Sequence, residues 1–205
     1  GEMEKISKAY QRFKEIQLQQ SEKMVDFKQA KHDLNERLSA LNHLLNNKMY
    51  GAVETNISYE KWLLTHQPFH WLAEFYEIIN EHGGFDVIIG NPPYVSKSKI
   101  TYLSNVAFKC SDLYGYVIKR VLQLLCPLGT HAFIVMHNLA FSRNFIEVRK
   151  LLNKIQGTLW CSFYSRIPSG LFSGDVRVRN CIYILFPGGK ERYTSSLHRW
   201  FSEQR

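Results

Sequence analysis

Residues 85–94 read FDVIIGNPPY, a short apolar run that stops at an Asn-Pro-Pro-Tyr corner. An apolar run of this length, rich in β-branched residues, predicts a buried strand. The two prolines fix two φ angles and remove two backbone N–H groups, so the corner offers carbonyl oxygens as acceptors and cannot continue as a helix. Because α/β folds bind ligands at the carboxyl ends of their strands, the segment predicts an active site there.

The chemistry of this corner suits a substrate that carries an amino group. The side-chain oxygen of Asn91 and the carbonyl oxygen of Pro92 both accept hydrogen bonds, and together they match the two hydrogens of one exocyclic NH2 group. Such contacts draw the nitrogen lone pair out of conjugation with a ring and make the nitrogen nucleophilic. The aromatic ring of Tyr94 is suited to stack on that same ring.

The tetrad of residues 91–94 resembles the catalytic tetrad of S-adenosylmethionine-dependent amino-methyltransferases. The longer string from PFHWLAEF (68–75) to Tyr94 resembles the adenine-N6 DNA methyltransferases of the Eco57I-like restriction-modification family. The similarity continues through SDLYGYVI (111–118) and through IPSGLF (167–172), and it covers roughly residues 66–205.

The resemblance implies roles for particular residues. Asn91, Pro92, Pro93 and Tyr94 would be the catalytic residues, and Phe172 would pack on a flipped target base opposite Tyr94. S-adenosylmethionine would be the cofactor. Members of the family carry a glycine-rich cofactor loop and an acidic residue upstream of the tetrad, and residues 1–82 resemble neither. We therefore expect cofactor binding mainly by a part of the protein upstream of this sequence, which opens with glycine and not methionine.

The predicted fold class is α/β: the catalytic half of a Rossmann-like methyltransferase sheet, preceded by an N-terminal helical segment. We divide the sequence into a helical segment (1–56), the catalytic part (57–190), and a tail leading to a target-recognition domain outside this sequence (191–205). Strands are predicted at about 85–90, 131–136, 158–164 and 180–186, and helices near 112–126 and 143–155. Half a sheet has an exposed edge and an exposed face. We therefore expect the chain either to dimerise or to cover that surface with its own N-terminal helices.

Charge is distributed unevenly along the chain. Of a net charge of +8, residues 143–205 supply the excess, with eleven Lys and Arg against four Asp and Glu. A polyanion is the natural partner of such a surface, and the resemblance makes that partner double-stranded DNA. The candidates for contacting its backbone are Lys97, Lys99, Arg177 and Arg179.

The first 50 residues have apolar positions at helical spacing, with no proline or glycine between Gly1 and Gly51. They predict either one long helix or a hairpin that turns near residues 19–22. Apolar runs are too short to cross a bilayer, and we expect a cytoplasmic protein. The four cysteines are widely spaced, which favours free thiols and gives no metal site.

The function predicted from these observations is site-specific methylation of adenine N6 in DNA as part of restriction-modification. The remainder of the polypeptide, with an endonuclease fused to it or separate, would be a partner. Two alternatives stay open. The same chemistry can act on an RNA base or a protein glutamine, and the chain can be a non-catalytic fragment for DNA binding or assembly.

Overall fold

The computed structural model describes residues 2–18, 24–53, 55–100, 107–172 and 178–199, and the chain forms two compact units, Gly1–His82 and Gly83–Arg205. The division falls after His82 and not after residue 56, where the sequence analysis placed it. The reason is that the three short helices between these positions pack on the two long N-terminal helices.

The first unit consists of helices and short connections in its described part. Its helices are α1 (Glu2–Leu18), α2 (Met24–Gly51), α3 (Tyr59–His66), α4 (Trp71–Glu74) and α5 (Tyr76–Asn80). Helices α1 and α2 pack against each other, so the hairpin is the correct alternative and the single long helix is not. Its turn, predicted near residues 19–22, lies outside the described residues. Buried Ile6, Leu34, Leu41 and Ala73 form the core of this unit.

The second unit is a mixed α/β sheet, which confirms the predicted fold class. Its strands are β1 (Phe85–Gly90), β2 (Leu125–Met136), β3 (Thr158–Tyr164), β4 (Asn180–Phe186) and β5 (Arg192–His198), in the order β1-β2-β4-β3-β5. Strand β1 is parallel to β2, β4 is antiparallel to both β2 and β3, and β5 is parallel to β3. The carboxyl ends of β1, β2 and β3 therefore lie at the same edge of the sheet as the start of β4.

Two helices, α6 (Leu113–Leu124) and α7 (Ile146–Lys154), cover one face of this sheet. The core beneath them is aromatic and aliphatic, with Tyr114, Phe145 and Tyr183 fully buried. Both helices match their predictions to within a few residues, because their apolar positions recur at helical spacing.

The other face of the sheet carries an apolar row that crosses every strand. Ile89, Ala132, Ile184, Trp160 and Tyr193 are successive partners across the five strands. Four of them are exposed: Ile89 by 73%, Trp160 by 52%, Tyr193 by 54% and Ile184 by 37%. The exposed face that was expected of a half-sheet is present, and within the described part of the chain β1 pairs with β2 alone.

Two elements differ from the sequence prediction. Strand β2 begins at Leu125 and not near residue 131, since an irregular stretch around Gly129 still pairs with β1. Strand β5 lies in the segment that the sequence analysis treated as a tail, and its polar sequence RYTSSLH gives no buried-strand pattern. No helix in the described ranges has both the length and the apolar character needed to cross a membrane.

Candidate active site

The predicted tetrad lies directly at the carboxyl end of β1. Strand β1 ends at Gly90, after which Asn91 is exposed, Pro92 is buried and Pro93 is exposed. The hydrogen bonds recorded among the described residues include none from the Asn91 side chain, so its amide is directed to solvent. Burial of Pro92 fixes the corner on the body of the unit, while its neighbour Asn91 remains accessible to a substrate.

The fourth residue of the tetrad, Tyr94, is half-buried and tied to the sheet by its hydroxyl group. The Tyr94 hydroxyl donates to the carbonyl oxygen of Ile134 on β2 at 3.0 Å. It also accepts a bond from Nδ2 of Asn180, the first residue of β4, at 3.4 Å. Burial raises the pKa of Tyr94, and the Asn180 hydrogen bond offsets part of that rise. The phenol therefore stays protonated and keeps its ring in one orientation at neutral pH.

An aromatic stack supports Tyr94 from the side of the core. Tyr114 of α6 meets the Tyr94 ring edge-on, with centroids 6.2 Å apart, and stacks on Phe145 at 4.7 Å. The Tyr114 hydroxyl donates to Oδ1 of Asn138 at 2.5 Å, which satisfies its polar atom in the core. Aromatic pairs of these geometries contribute about 0.5–1.5 kcal/mol each beyond the area they bury. The position of Tyr94 is thus set by β2, β4 and α6 together.

The sequence analysis missed Asn180 as a site residue. Its side chain is 1% exposed, and it bridges the tetrad to β4 across 86 positions of sequence. Its Oδ1 atom is buried and has no hydrogen-bond partner among the described residues. A signal was present, because an asparagine opens the otherwise apolar run NCIYILF, and buried amides in strands need a polar partner.

The second predicted stacking residue, Phe172, is half-buried in the segment between β3 and β4. Residues 165–172 follow the end of β3 and residues 178–179 precede the start of β4, at the sheet edge where β1 and β2 also end. The stacking role of Phe172 stays a prediction.

The basic candidates occupy two places. Lys97 and Lys99 belong to a 3-10 turn just after the tetrad, where the Lys97 N–H donates to the carbonyl of Ser111 at 2.7 Å. Arg179 is exposed immediately before β4, and its carbonyl accepts from the N–H of His137 at 2.9 Å. Arg177 lies outside the described residues. The structure thus puts Arg179 at the edge of the sheet that carries the tetrad.

Within the described ranges, no group of three or more His, Cys, Asp or Glu side chains is arranged to hold a metal ion. The four cysteines are free thiols, of which Cys110 and Cys181 are buried.

Comparison with known proteins finds a relative named as a restriction enzyme and methyltransferase. A protein of Methanocaldococcus jannaschii, named for type II restriction enzyme and methyltransferase activity, is 35% identical over 123 residues, which is 58% of this chain. The chain spans about a tenth of the length of that relative, since the match covers 10% of it.

Several solved structures are similar to part of this chain, at low identity. The DrdV–DNA complex matches with a TM-score of 0.45 and 19% identity, over 60% of this chain and 15% of that one. A class I S-adenosylmethionine-dependent methyltransferase from Listeria monocytogenes gives 0.41 and 17%, over 56% and 37% of the two chains. The M protein of the type I restriction enzyme EcoKI gives 0.36 and 14%, over 54% and 23%.

The family model for the Eco57I restriction-modification methylase matches residues 4–163, which include the tetrad, Tyr114 and Asn138. The match extends beyond the catalytic unit into the helical hairpin, whose sequence had given no family signal on its own. The chain therefore belongs to the Eco57I restriction-modification methylase family.

Proposed function

We propose that this chain holds the target amino group in a DNA methyltransferase that acts on N6 of adenine. The observation that carries the proposal is the Asn-Pro-Pro-Tyr corner at the carboxyl end of β1, with an exposed amide at one end and an anchored ring at the other. Membership of a restriction-modification methylase family supports a DNA substrate.

In the proposed complex, Asn91 and the carbonyl of Pro92 accept the two hydrogens of the adenine amino group. Asn91 is exposed, so its amide is accessible to the substrate. Pro92 is buried, and this burial keeps the Pro92 carbonyl at a fixed position. These two acceptors hold the nitrogen lone pair out of the plane of the ring, directed at the methyl donor. Methyl transfer would form the bond from the amino nitrogen to the methyl carbon as the bond to the sulfonium sulfur breaks, with the thioether leaving and one proton passing from the nitrogen to solvent. It would need no covalent bond to the chain, so positioning would account for the rate.

The target adenine must leave the double helix before it reaches this corner, at a cost of a few kcal/mol. Stacking on Tyr94 offsets part of that cost, because base–aromatic contacts contribute about 1–3 kcal/mol each. The hydroxyl bond from Tyr94 to Ile134 supports this role, since it fixes the plane of the ring before the base arrives. Phe172 is proposed as the second aromatic contact, on the opposite face of the base.

S-adenosylmethionine would supply the electrophilic methyl group. The tetrad fits the amino group of the methyl acceptor, while residues 1–82 carry neither the glycine-rich loop nor the acidic residue that the cofactor needs. We therefore assign most of the cofactor contacts to a part of the protein other than these 205 residues.

The proposed partner is double-stranded DNA, contacted through its backbone by Lys97, Lys99, Arg177 and Arg179. The exposed positions of Lys99 and Arg179 support this assignment. A target-recognition domain and an endonuclease would belong to the rest of the polypeptide or to a separate subunit, in the cytoplasm. The exposed sheet face would be covered either by the N-terminal helices or by a second copy of the chain in a dimer.

The test is methyl transfer from labelled S-adenosylmethionine to mixed-sequence duplex DNA by a polypeptide that carries this sequence, followed by nucleoside analysis. We expect N6-methyladenine, and we expect the variant Asn91→Ala to lose at least about a hundredfold in rate with its fold intact. The matched control is Asn35→Ala, at an exposed position of α2, which should keep full activity.

Other results would favour the alternatives. Label in RNA or in protein glutamine would replace the DNA substrate with another amino group. DNA binding without transfer, unchanged in Asn91→Ala, would support a non-catalytic role in DNA binding or assembly.

A further inference from the structure

Three basic side chains from separate parts of the sequence meet around one cleft of about 450 Å³ in the catalytic unit. Lys97 comes from the turn after the tetrad, Lys109 from the segment before α6, and Arg143 from the turn before α7. The lining also includes Ser111, Asn144 and Glu147. We call this the basic cleft. Of its three cations, only Lys97 was a candidate from the sequence.

The charge of the basic cleft is not balanced from within. Among the described residues, no carboxylate lies within ion-pair distance of Lys97, Lys109 or Arg143. The acidic residue in the lining, Glu147, is paired with Nζ of Lys150 at 3.0 Å. The amino end of α7 also faces this region and adds a partial positive charge.

Two other arginines of the same unit have structural tasks. The guanidinium of Arg149 donates to the carbonyl oxygens of Leu139 and Ser142, both at 2.8 Å. Arg192 donates to the carbonyl of Gly157 at 2.6 Å and to other carbonyls nearby. No comparable bond from the charged group of Lys109 or Arg143 is recorded in the described part of the chain. Their charges are therefore available to an anion.

The cleft is held close to the tetrad by backbone pairing. The N–H of Lys97 donates to Ser111 at 2.7 Å, and the N–H of Leu113 donates to Val95 at 2.8 Å. Lys97 follows Asn91 by six positions, which span at most about 21 Å when fully extended. Each DNA strand carries one phosphate per ~3.4 Å of helix axis, so the cleft is within about six nucleotides of a base bound at Asn91.

We propose that the basic cleft binds a backbone phosphate of the DNA within a few nucleotides of the target adenine, with Lys109 and Arg143 as contacts in addition to Lys97. The proposal rests on the proposed function and adds to it a specific phosphate site. The planar guanidinium of Arg143 matches two phosphate oxygens, and the lysines act as point charges. The Asn144 amide offers a further neutral donor. Because these groups read phosphates and not base edges, the site adds affinity without sequence preference.

The experiment measures binding of the chain to a fluorescently labelled mixed-sequence duplex across a range of salt concentrations. Each lost phosphate contact should make the plot of log K against log salt shallower by about 0.9. Because the cleft is proposed to hold one phosphate, we expect a part of that reduction for Lys109→Gln and for Arg143→Gln, and up to the full ~0.9 for the double variant. Lys154→Gln, at an exposed position near the end of α7 and outside the cleft, makes the same change of charge and should leave the slope unchanged.

The outcomes separate this proposal from the proposed function. If the unsubstituted chain binds DNA and the cleft variants keep its slope, the phosphate site is wrong while DNA methylation stands. If all three Gln variants weaken binding equally, the effect is one of net charge and the site is again wrong. If single-stranded RNA binds more tightly than the duplex with the same sensitivity to Lys109→Gln, the assignment to DNA is overturned. A chain that shows no salt-dependent binding to DNA overturns the phosphate site, whereas the proposed function is decided separately by the methyl-transfer experiment.

Discussion

Acid should destabilise the catalytic unit through one buried histidine, His131 on β2. Its ring is 0% exposed, and it lies edge-on to Tyr183 at 5.3 Å and to Phe133 at 6.1 Å. Neither ring nitrogen has a hydrogen-bond partner among the described residues. Burial lowers the pKa of His131 from its ordinary 6.5 to about 4. Between about pH 4 and pH 6.5 the native ring is therefore neutral while the unfolded chain carries its proton.

The sign and size of the effect follow from proton linkage. Between pH 6.5 and about 4, the unfolded chain binds a proton at His131 that the native chain does not, so stability falls as the pH falls through this window. At 1.36 kcal/mol per pH unit, the full loss is about 3 kcal/mol, of which about 2.5 kcal/mol is reached near pH 4.5. Above about pH 7.5 the contribution is constant.

Urea denaturation of the native chain and of His131→Leu, at about pH 7.5 and about pH 4.5, measures this loss. Leucine keeps an apolar side chain of similar size and removes the titration, so the other acidic and basic groups cancel in the comparison. We expect the native chain to lose about 2.5 kcal/mol more than the variant on acidification. Equal losses in the two proteins would refute the buried neutral histidine as the cause.

Three further predictions concern the site and its support. Tyr94→Phe keeps the stacking ring and removes its hydroxyl bond to β2, so urea denaturation should show a loss of about 1 kcal/mol, with more methyl transfer retained than in Asn91→Ala. Asn180→Ala should cost less in the Tyr94→Phe background than alone, by about 0.5 kcal/mol, and an additive double-mutant cycle would contradict the contact. Gly84 has φ +129°, and a Cβ there would lie 2.6 Å from the backbone of Cys126, so Gly84→Ala should lower the thermal midpoint strongly. Gly51→Ala, where a Cβ would meet nothing within 4 Å, should not.

The strands that the sequence predicted are those with a clear local signal. Strands β1, β3 and β4 have the predicted bounds, because each is an apolar run closed by turn residues. Strand β5 was missed because an exposed edge strand needs no apolar alternation. The open question of a hairpin or a single helix at the N-terminus also required the structure, since helical spacing does not show where a chain reverses.

The candidate tetrad could be proposed from the sequence because its residues are contiguous, from Asn91 to Tyr94, and its catalytic role stays a prediction. The hydrogen bond from Asn180 to Tyr94 and the position of Lys97 and Arg143 around one cleft could not be predicted from the sequence. Both depend on the order of strands in the sheet. Family resemblance supplied Phe172 but not these partners. Side chains that act together across long sequence separations give no local pattern, and only the fold brings them into contact.

The apolar row across the open face of the sheet gives this protein a built-in optical reporter. Trp160 lies between Ile184 and Tyr193 in that row and is 52% exposed, whereas Trp62 and Trp71 in the helical unit are 2% and 38% exposed. Whatever covers the face, whether a second copy or another part of the polypeptide, must move the Trp160 indole from water into an apolar environment. Its fluorescence emission should then shift to shorter wavelength and become protected from acrylamide quenching. Assembly on this face can therefore be followed in solution without an attached label.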